Sequence, residues 1–176
     1  MADFVLFLPI LLQFEGGFSD DPVDPGGVTN KGITLTTFTG CAKKLLNIDP
    51  TLENLKNLTD DQAGTLYRAL YWNPVQGDET KLQDLANIVC DFYVNAGTNA
   101  TKLLQRVMND LGASLTVDGS IGPASMTALA SLDQTDVYRR YKSGRITYYQ
   151  NLAQSQPALS RFLKGWLNRV NSFPDL

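Results

Sequence analysis

Residues 82–93 read LQDLANIVCDFY. Leu82, Leu85, Ala86, Val89, Phe92 and Tyr93 fall at i, i+3, i+4, i+7, i+10 and i+11, which is the spacing of one face of a helix with 3.6 residues per turn. On the C-terminal side, Leu103, Leu104, Val107, Met108 and Leu111 repeat the pattern and stop before Gly112, where a left-handed C-cap is expected. Gly122-Pro123 opens a short helix with proline in its first turn. Val137, Tyr138, Tyr141, Tyr148, Tyr149 and Leu152 mark a long helix. Leu159, Phe162, Leu163, Trp166, Leu167 and Val170 mark another after the break at Pro157, with Trp166 expected in the core. On the N-terminal side, Thr59 and Gln62 form a capping box that opens a helix carrying Leu66, Leu70 and Tyr71. These patterns predict a mainly α fold of seven or eight helices with at most one small hairpin. No period of about 20 to 50 residues repeats and no Pro/Gly/Ser linker divides the chain, so any two modules pack directly together.

The 176 residues contain no histidine and two cysteines. Without imidazole there is no Ser-His-Asp or Cys-His nucleophile pair and no His-containing zinc site, and two thiols cannot close a four-cysteine site. A hydrolase built from this chain relies on carboxylates, and no metal or cofactor is expected. A net charge of −3 and a pI near 4.8 argue against nucleic-acid and anionic-membrane partners, which need a basic footprint. The apolar run Phe4 to Leu12 carries Asp3 where a signal peptide has positive charge, and it is too short to span a bilayer. It reads as a buried first helix. The expected location is therefore synthesis in the cytoplasm without a signal peptide. Cys41 and Cys90 read as buried small hydrophobes rather than a disulfide.

Glu15 to Thr34 reads EGGFSDDPVDPGGVTNKGIT, part of a long irregular stretch from Gly16 to Ile33. An irregular segment of that length inside a helical domain suggests a functional loop. Metal-free cleavage of a glycosidic bond needs one carboxylic acid to protonate the leaving oxygen and usually a second carboxylate on the other face. Glu15 follows Leu11, Leu12 and Phe14, the apolar neighbours that favour a protonated acid. Inverting enzymes hold their two carboxyls roughly 6.5 to 9.5 Å apart. Nine extended residues span about 30 Å, so the segment from Glu15 to Asp24 must fold back, as its glycines and prolines permit. Asp20, Asp21 and Asp24 are equally good turn residues beside Pro and Gly, and a Glu after an apolar helix is commonly a solvated helix end.

The whole stretch closely resembles the opening motif of the glycoside hydrolase 108 family of bacterial and phage N-acetylmuramidases, in which Glu-Gly-Gly-Tyr precedes Asp-Pro-x-Asp-Pro-Gly-Gly and Thr-Asn-x-Gly-Ile-Thr. The similarity continues through Tyr71-Trp72-Asn73-Pro74 and through DFYVNAG at 91–97. From about Thr98, LLQRVMNDLGASLTVDGSIGPASMTAL and GWLNRV resemble the peptidoglycan-binding half that follows in this family. The resemblance implies a lysozyme-like helical fold, a catalytic region at 1–97 and a peptidoglycan-binding region at 98–176 packed on it. It also implies hydrolysis of the β-1,4 bond between N-acetylmuramic acid and N-acetylglucosamine, with peptidoglycan as partner and Glu15 as general acid. A monomeric, endolysin-like enzyme is expected, acting in the periplasm or on the cell wall after a holin lesion, a secretion machine or lysis. Phe18 stands where the family pattern has Tyr, which loses a hydroxyl but keeps a ring that can stack on a sugar. Phage-type lysozymes place an Asp nine residues after the Glu and a Thr six further on. Asp24 occupies the first offset, Asn30 the second, and Thr29 lies one residue earlier, so Asp24 is favoured to position the water with Thr29 or Asn30 assisting.

Trp72 is a candidate groove wall or a core aromatic, and Asn95 a candidate contact to an N-acetyl group or a helix cap. The turn Val117 to Pro123 resembles the signature turn of small peptidoglycan-binding repeats. A lytic transglycosylase, which needs only one glutamate, and a non-catalytic wall-binding module are the competing functions. Whether the reaction inverts or retains the anomeric centre stays open.

Overall fold

A computed structural model describes residues 1–20 and 27–176. Among these, nine α-helices and one two-stranded sheet form a mainly α, lysozyme-like fold. The described residues fall into two compact units, Phe4–Leu70 and a second made of Met1–Asp3 with Tyr71–Leu176.

The N-terminal unit begins with α1 (Phe4–Phe14), which buries Phe4, Phe7 and Leu11, one side of the apolar run. Strands β1 (Thr29–Asn30) and β2 (Ile33–Thr34) pair antiparallel, with Thr29 opposite Thr34 and Asn30 opposite Ile33. Lys31 and Gly32 between them both have positive φ, 50° and 76°, as a two-residue type I′ turn requires. Thr34 then N-caps α2 (Leu35–Leu46) by accepting from the Thr37 N–H. A five-residue helix, α3 (Leu52–Lys56), is capped by Thr51; it and the short strands are too brief for apolar periodicity to reveal. The expected capping box is present at α4 (Asp60–Tyr67), where Thr59 and Gln62 bond reciprocally. Gly64 of α4 is buried, and a Cβ there would lie 2.7 Å from Leu8 Cδ2, so the glycine lets α1 approach α4 closely.

A π-helical stretch, Arg68–Trp72, carries the chain onward. In the C-terminal unit, α5 (Gln83–Ala96) is buried continuously from Leu85 to Phe92, beyond the single face that the spacing marks, because α6 (Thr98–Asp110) and α8 (Gln134–Ser155) both pack on it. After α6 the chain ends the helix in a Schellman motif: Gly112, at φ 101°, donates to Asn109 O and Ala113 donates to Met108 O. The proline-started helix is α7 (Pro123–Ser131). Beyond Pro157 the single expected helix is divided into a 3₁₀ segment (Pro157–Phe162) and α9 (Leu163–Asn171). Trp166 is half-buried rather than in the core, with its ring stacked on Tyr149 at 5.0 Å.

The C-terminal unit is locked by a buried charge cluster. Asp91 of α5 accepts from Arg145 of α8 at 2.6 Å and from Arg169 of α9 at 2.7 Å, and neither the Asp91 nor the Arg145 side chain is exposed. The Val117–Pro123 turn is pinned to α6: Gln105 Nε2 donates to Asp118 Oδ1 and Ser120 O, Gln105 Oε1 accepts from the Gly119 N–H, and Thr101 Oγ1 donates to Gly119 O. Those bonds, first from Gln105 and then from the Ser120 N–H, hold the Asp118 carboxyl below its ordinary value. Cys41 and Cys90 are buried free thiols. Burial pushes both up, Cys90 further, with the neighbouring Asp91 charge adding to it.

Candidate active site

Glu15 continues the end of α1, its N–H donating to Leu11 O at 3.1 Å, and its side chain is half-buried. The carboxylate is laid against the hairpin turn. An ideal Cβ on Gly32 would sit 2.2 Å from Glu15 Oε2 and 2.5 Å from the Tyr67 hydroxyl, so both oxygens converge on a space that only glycine leaves open. Tyr67, buried at the end of α4, donates its hydroxyl to Lys31 O at 2.8 Å. Lys31 in turn pairs with Asp60 at 2.6 Å at the start of α4. Three elements therefore fix the Glu15 carboxylate: the end of α1 delivers it, the I′ turn supplies the bare backbone beside it, and α4 supplies the phenol that holds the turn. Sequence reasoning did not find Tyr67 or Gly32. Gly32 belongs to the motif and could have been read as the turn glycine, but nothing local marks Tyr67, which reaches the turn across 36 residues.

Thr29 is half-buried in β1 and exchanges two backbone hydrogen bonds with Ser19, of 2.8 and 2.9 Å, which ties the start of the loop to the hairpin. Asn30 is corrected from a substrate contact to a structural residue. It is buried, and both protons of its amide go to the end of α3, to Leu55 O at 2.8 Å and Lys56 O at 3.0 Å. Those carbonyls belong to the last turn of α3, and Leu55 O also accepts from the Leu58 N–H at 3.2 Å. Phe18 is 41% exposed, with Lys56 Nζ 5.0 Å from the ring centroid. Asp20 is exposed. Asp21 and Asp24 lie outside the described residues.

Trp72 and Asn95 belong to the C-terminal unit. Trp72 is fully buried, its Nε1 donates to Asp78 Oδ1 at 2.8 Å, and a Cβ on Gly77 would fall 2.2 Å from its ring. The glycine backbone covers the indole, so of its two readings the structure gives the core one and corrects the groove-wall one. Asn95 is exposed, and its amide donates to Asp91 O one turn earlier at 2.7 Å, the bond of a helix-end residue.

A helical body with one small hairpin, and a glutamate at the end of the first helix held against that hairpin, define a lysozyme-like glycoside hydrolase. The family described as Glycosyl hydrolase 108 matches residues 8–97, and one described as Predicted Peptidoglycan domain matches residues 99–171. A solved structure, SagA of Brucella abortus, is similar at 30% identity with a TM-score of 0.77, covering 97% of this chain and 90% of that one. No curated protein matches the chain. The chain belongs to the glycosyl hydrolase 108 family, and it is a glycoside hydrolase that acts on peptidoglycan.

Proposed function

We propose that the protein is an N-acetylmuramidase that cleaves the β-1,4 bond between N-acetylmuramic acid and N-acetylglucosamine, with Glu15 as general acid. The observation that carries this reading is the Glu15 carboxylate, held half-buried against the Gly32 backbone beside the Tyr67 hydroxyl. A carboxyl fixed by three elements is pre-positioned to deliver a proton to a leaving oxygen, which is the part of the reaction that positioning accelerates most directly. Asp24 is assigned to the water on the opposite face and Thr29 to assisting it, on the nine-residue offset and on the need for a carboxylate pair. The exposed ring of Phe18 is assigned to a sugar face. Residues 1–97 would carry catalysis and 98–176 wall binding. In the cell the enzyme would meet its substrate after release through a holin lesion, a secretion machine or lysis, in a phage or an export setting.

The bond is tested by digesting purified peptidoglycan and identifying the new sugar ends by mass spectrometry. Reducing N-acetylmuramic acid ends are expected. Anhydro ends would make the protein a lytic transglycosylase, and binding without release would make it a wall-binding module.

A further inference from the structure

The C-terminal unit carries a groove that the proposed chemistry does not use. It runs between α6 and α8 with a volume of about 630 Å³, within the roughly 300–1,000 Å³ of small-ligand sites. Its floor is apolar. Leu103 and the buried Val107 of α6 face Gly144 of α8, where an added Cβ would lie 2.9 Å from Leu103 Cδ1. The glycine lets the two helices close together and leaves a trough where a side chain would make a ridge.

Above that floor the charge is one-sided. Arg106 of α6 and Arg139 and Arg140 of α8 line the groove, all exposed, against one carboxylate, Asp110. In a chain of net charge −3 this is a local reversal of sign. Arg139 Nε donates to an oxygen of Leu176, the last residue, but little neutralises the other two: Arg140 is paired with Asp136 only at 3.4 Å and in solvent, and Arg106 has no ion-pair partner among the described residues. Guanidinium forks above an apolar floor select planar carboxylates. A neutral sugar chain would instead be met by aromatic faces, and the only ring lining the groove is Tyr148, already packed edge-on against Phe92 at 5.1 Å.

We propose that the α6/α8 groove binds the acidic peptide stem of peptidoglycan, with stem carboxylates on Arg106 and Arg140 and the amino group of an uncrosslinked diamino acid on Asp110. The assignment rests on peptidoglycan being the substrate, and it adds which half of that polymer the C-terminal unit reads. Holding the stem there would retain the enzyme on peptide-bearing wall independently of the sugar contacts made at the cleavage site.

The test titrates the whole protein by calorimetry with three probes: a free tetrapeptide stem ending in carboxylates, the same stem with its carboxylates amidated, and glycan strands stripped of peptide. The free stem should bind, amidation should weaken it at least tenfold, and raised salt should weaken it further. Arg106→Gln and Arg140→Gln should each lower affinity for the free stem about tenfold, with Arg106→Lys intermediate. Lys164→Gln, on the exposed face of α9, should leave that affinity unchanged and so controls for net charge. Thermal melts establish that each variant is folded. Equal affinity for free and amidated stems, binding confined to stripped glycan, or folded arginine variants that bind like wild type would each overturn the proposal. Hydrolysis of stripped glycan is read in parallel. Stem binding without hydrolysis would refute the muramidase reading alone, and hydrolysis without stem binding would refute the groove alone.

Discussion

Replacing Asp91 by Asn removes the charge that compensates two guanidiniums while keeping the shape of the side chain. In the native unit Asp91 accepts from Arg145 Nη2 at 2.6 Å and from Arg169 Nε and Nη2 at 3.0 and 2.7 Å. Arg145 has nothing comparable elsewhere. Its contacts to Ile88 O and the Tyr149 hydroxyl are 3.5 and 3.4 Å, its Nε has no hydrogen-bond partner among the described residues, and its remaining neighbours are the rings of Phe92, Tyr149 and Phe173. Breaking a buried pair from one side costs about 3–5 kcal/mol, because the other charge is left uncompensated. For a chain of this length each kcal/mol moves the melting temperature by about 2–4 °C, so Asp91→Asn should melt roughly 6–20 °C below wild type. Circular dichroism melts measure this. Arg169→Gln should cost less, because Arg169 is 15% exposed and its removal leaves the Asp91–Arg145 pair intact. Adding Arg145→Met to Asp91→Asn should recover part of the loss, since the stranded cation is gone. An Asp91→Asn protein within about 1 kcal/mol of wild type would refute the reasoning.

Gly32→Ala places a methyl group where Glu15 Oε2 and the Tyr67 hydroxyl lie, at a φ of 76°. It should lower kcat at least tenfold at a cost of about 1–2 kcal/mol in stability, read by steady-state turbidity assays and melts; unchanged kcat would show that the carboxylate is not held there. The Cys90 thiol, raised by burial and by Asp91, should react with a disulfide reagent in native protein far more slowly than in urea; equal rates would contradict its burial. Asp118 has a lowered carboxyl, so its contribution is complete above the unfolded value of about 3.9 and fades as pH falls through the folded one. The melting difference between wild type and Asp118→Asn should therefore shrink on acidification below about pH 3.9, and a difference that grew would reverse the sign of the argument.

The fold was legible where a helix is specified by its own residues. Thr59 with Gln62, Gly112 and Pro123 each mark a helix end through bonds or angles within a few positions. The family was legible because twenty consecutive residues, Glu15 to Thr34, carry its motif. What could not be read came from contacts distant in sequence. Asp91 lies outside the apolar spacing of its helix, and its burial depends on arginines 54 and 78 positions away. Asn30 looks like a loop polar group until α3 presents its carbonyls to it, and Trp72 looks available until Gly77 covers it. Residue type reveals what a side chain can bond to, and only the tertiary structure reveals which partner is already there.

The central claim is that Glu15 protonates the leaving oxygen. Glu15→Gln keeps the side chain's size and removes the proton it delivers. The rate of hydrolysis of purified peptidoglycan by the folded variant should fall by at least 10²- to 10⁴-fold, the usual contribution of a general acid. A Glu15→Gln protein that melts like wild type and retains activity within tenfold of it would contradict the account.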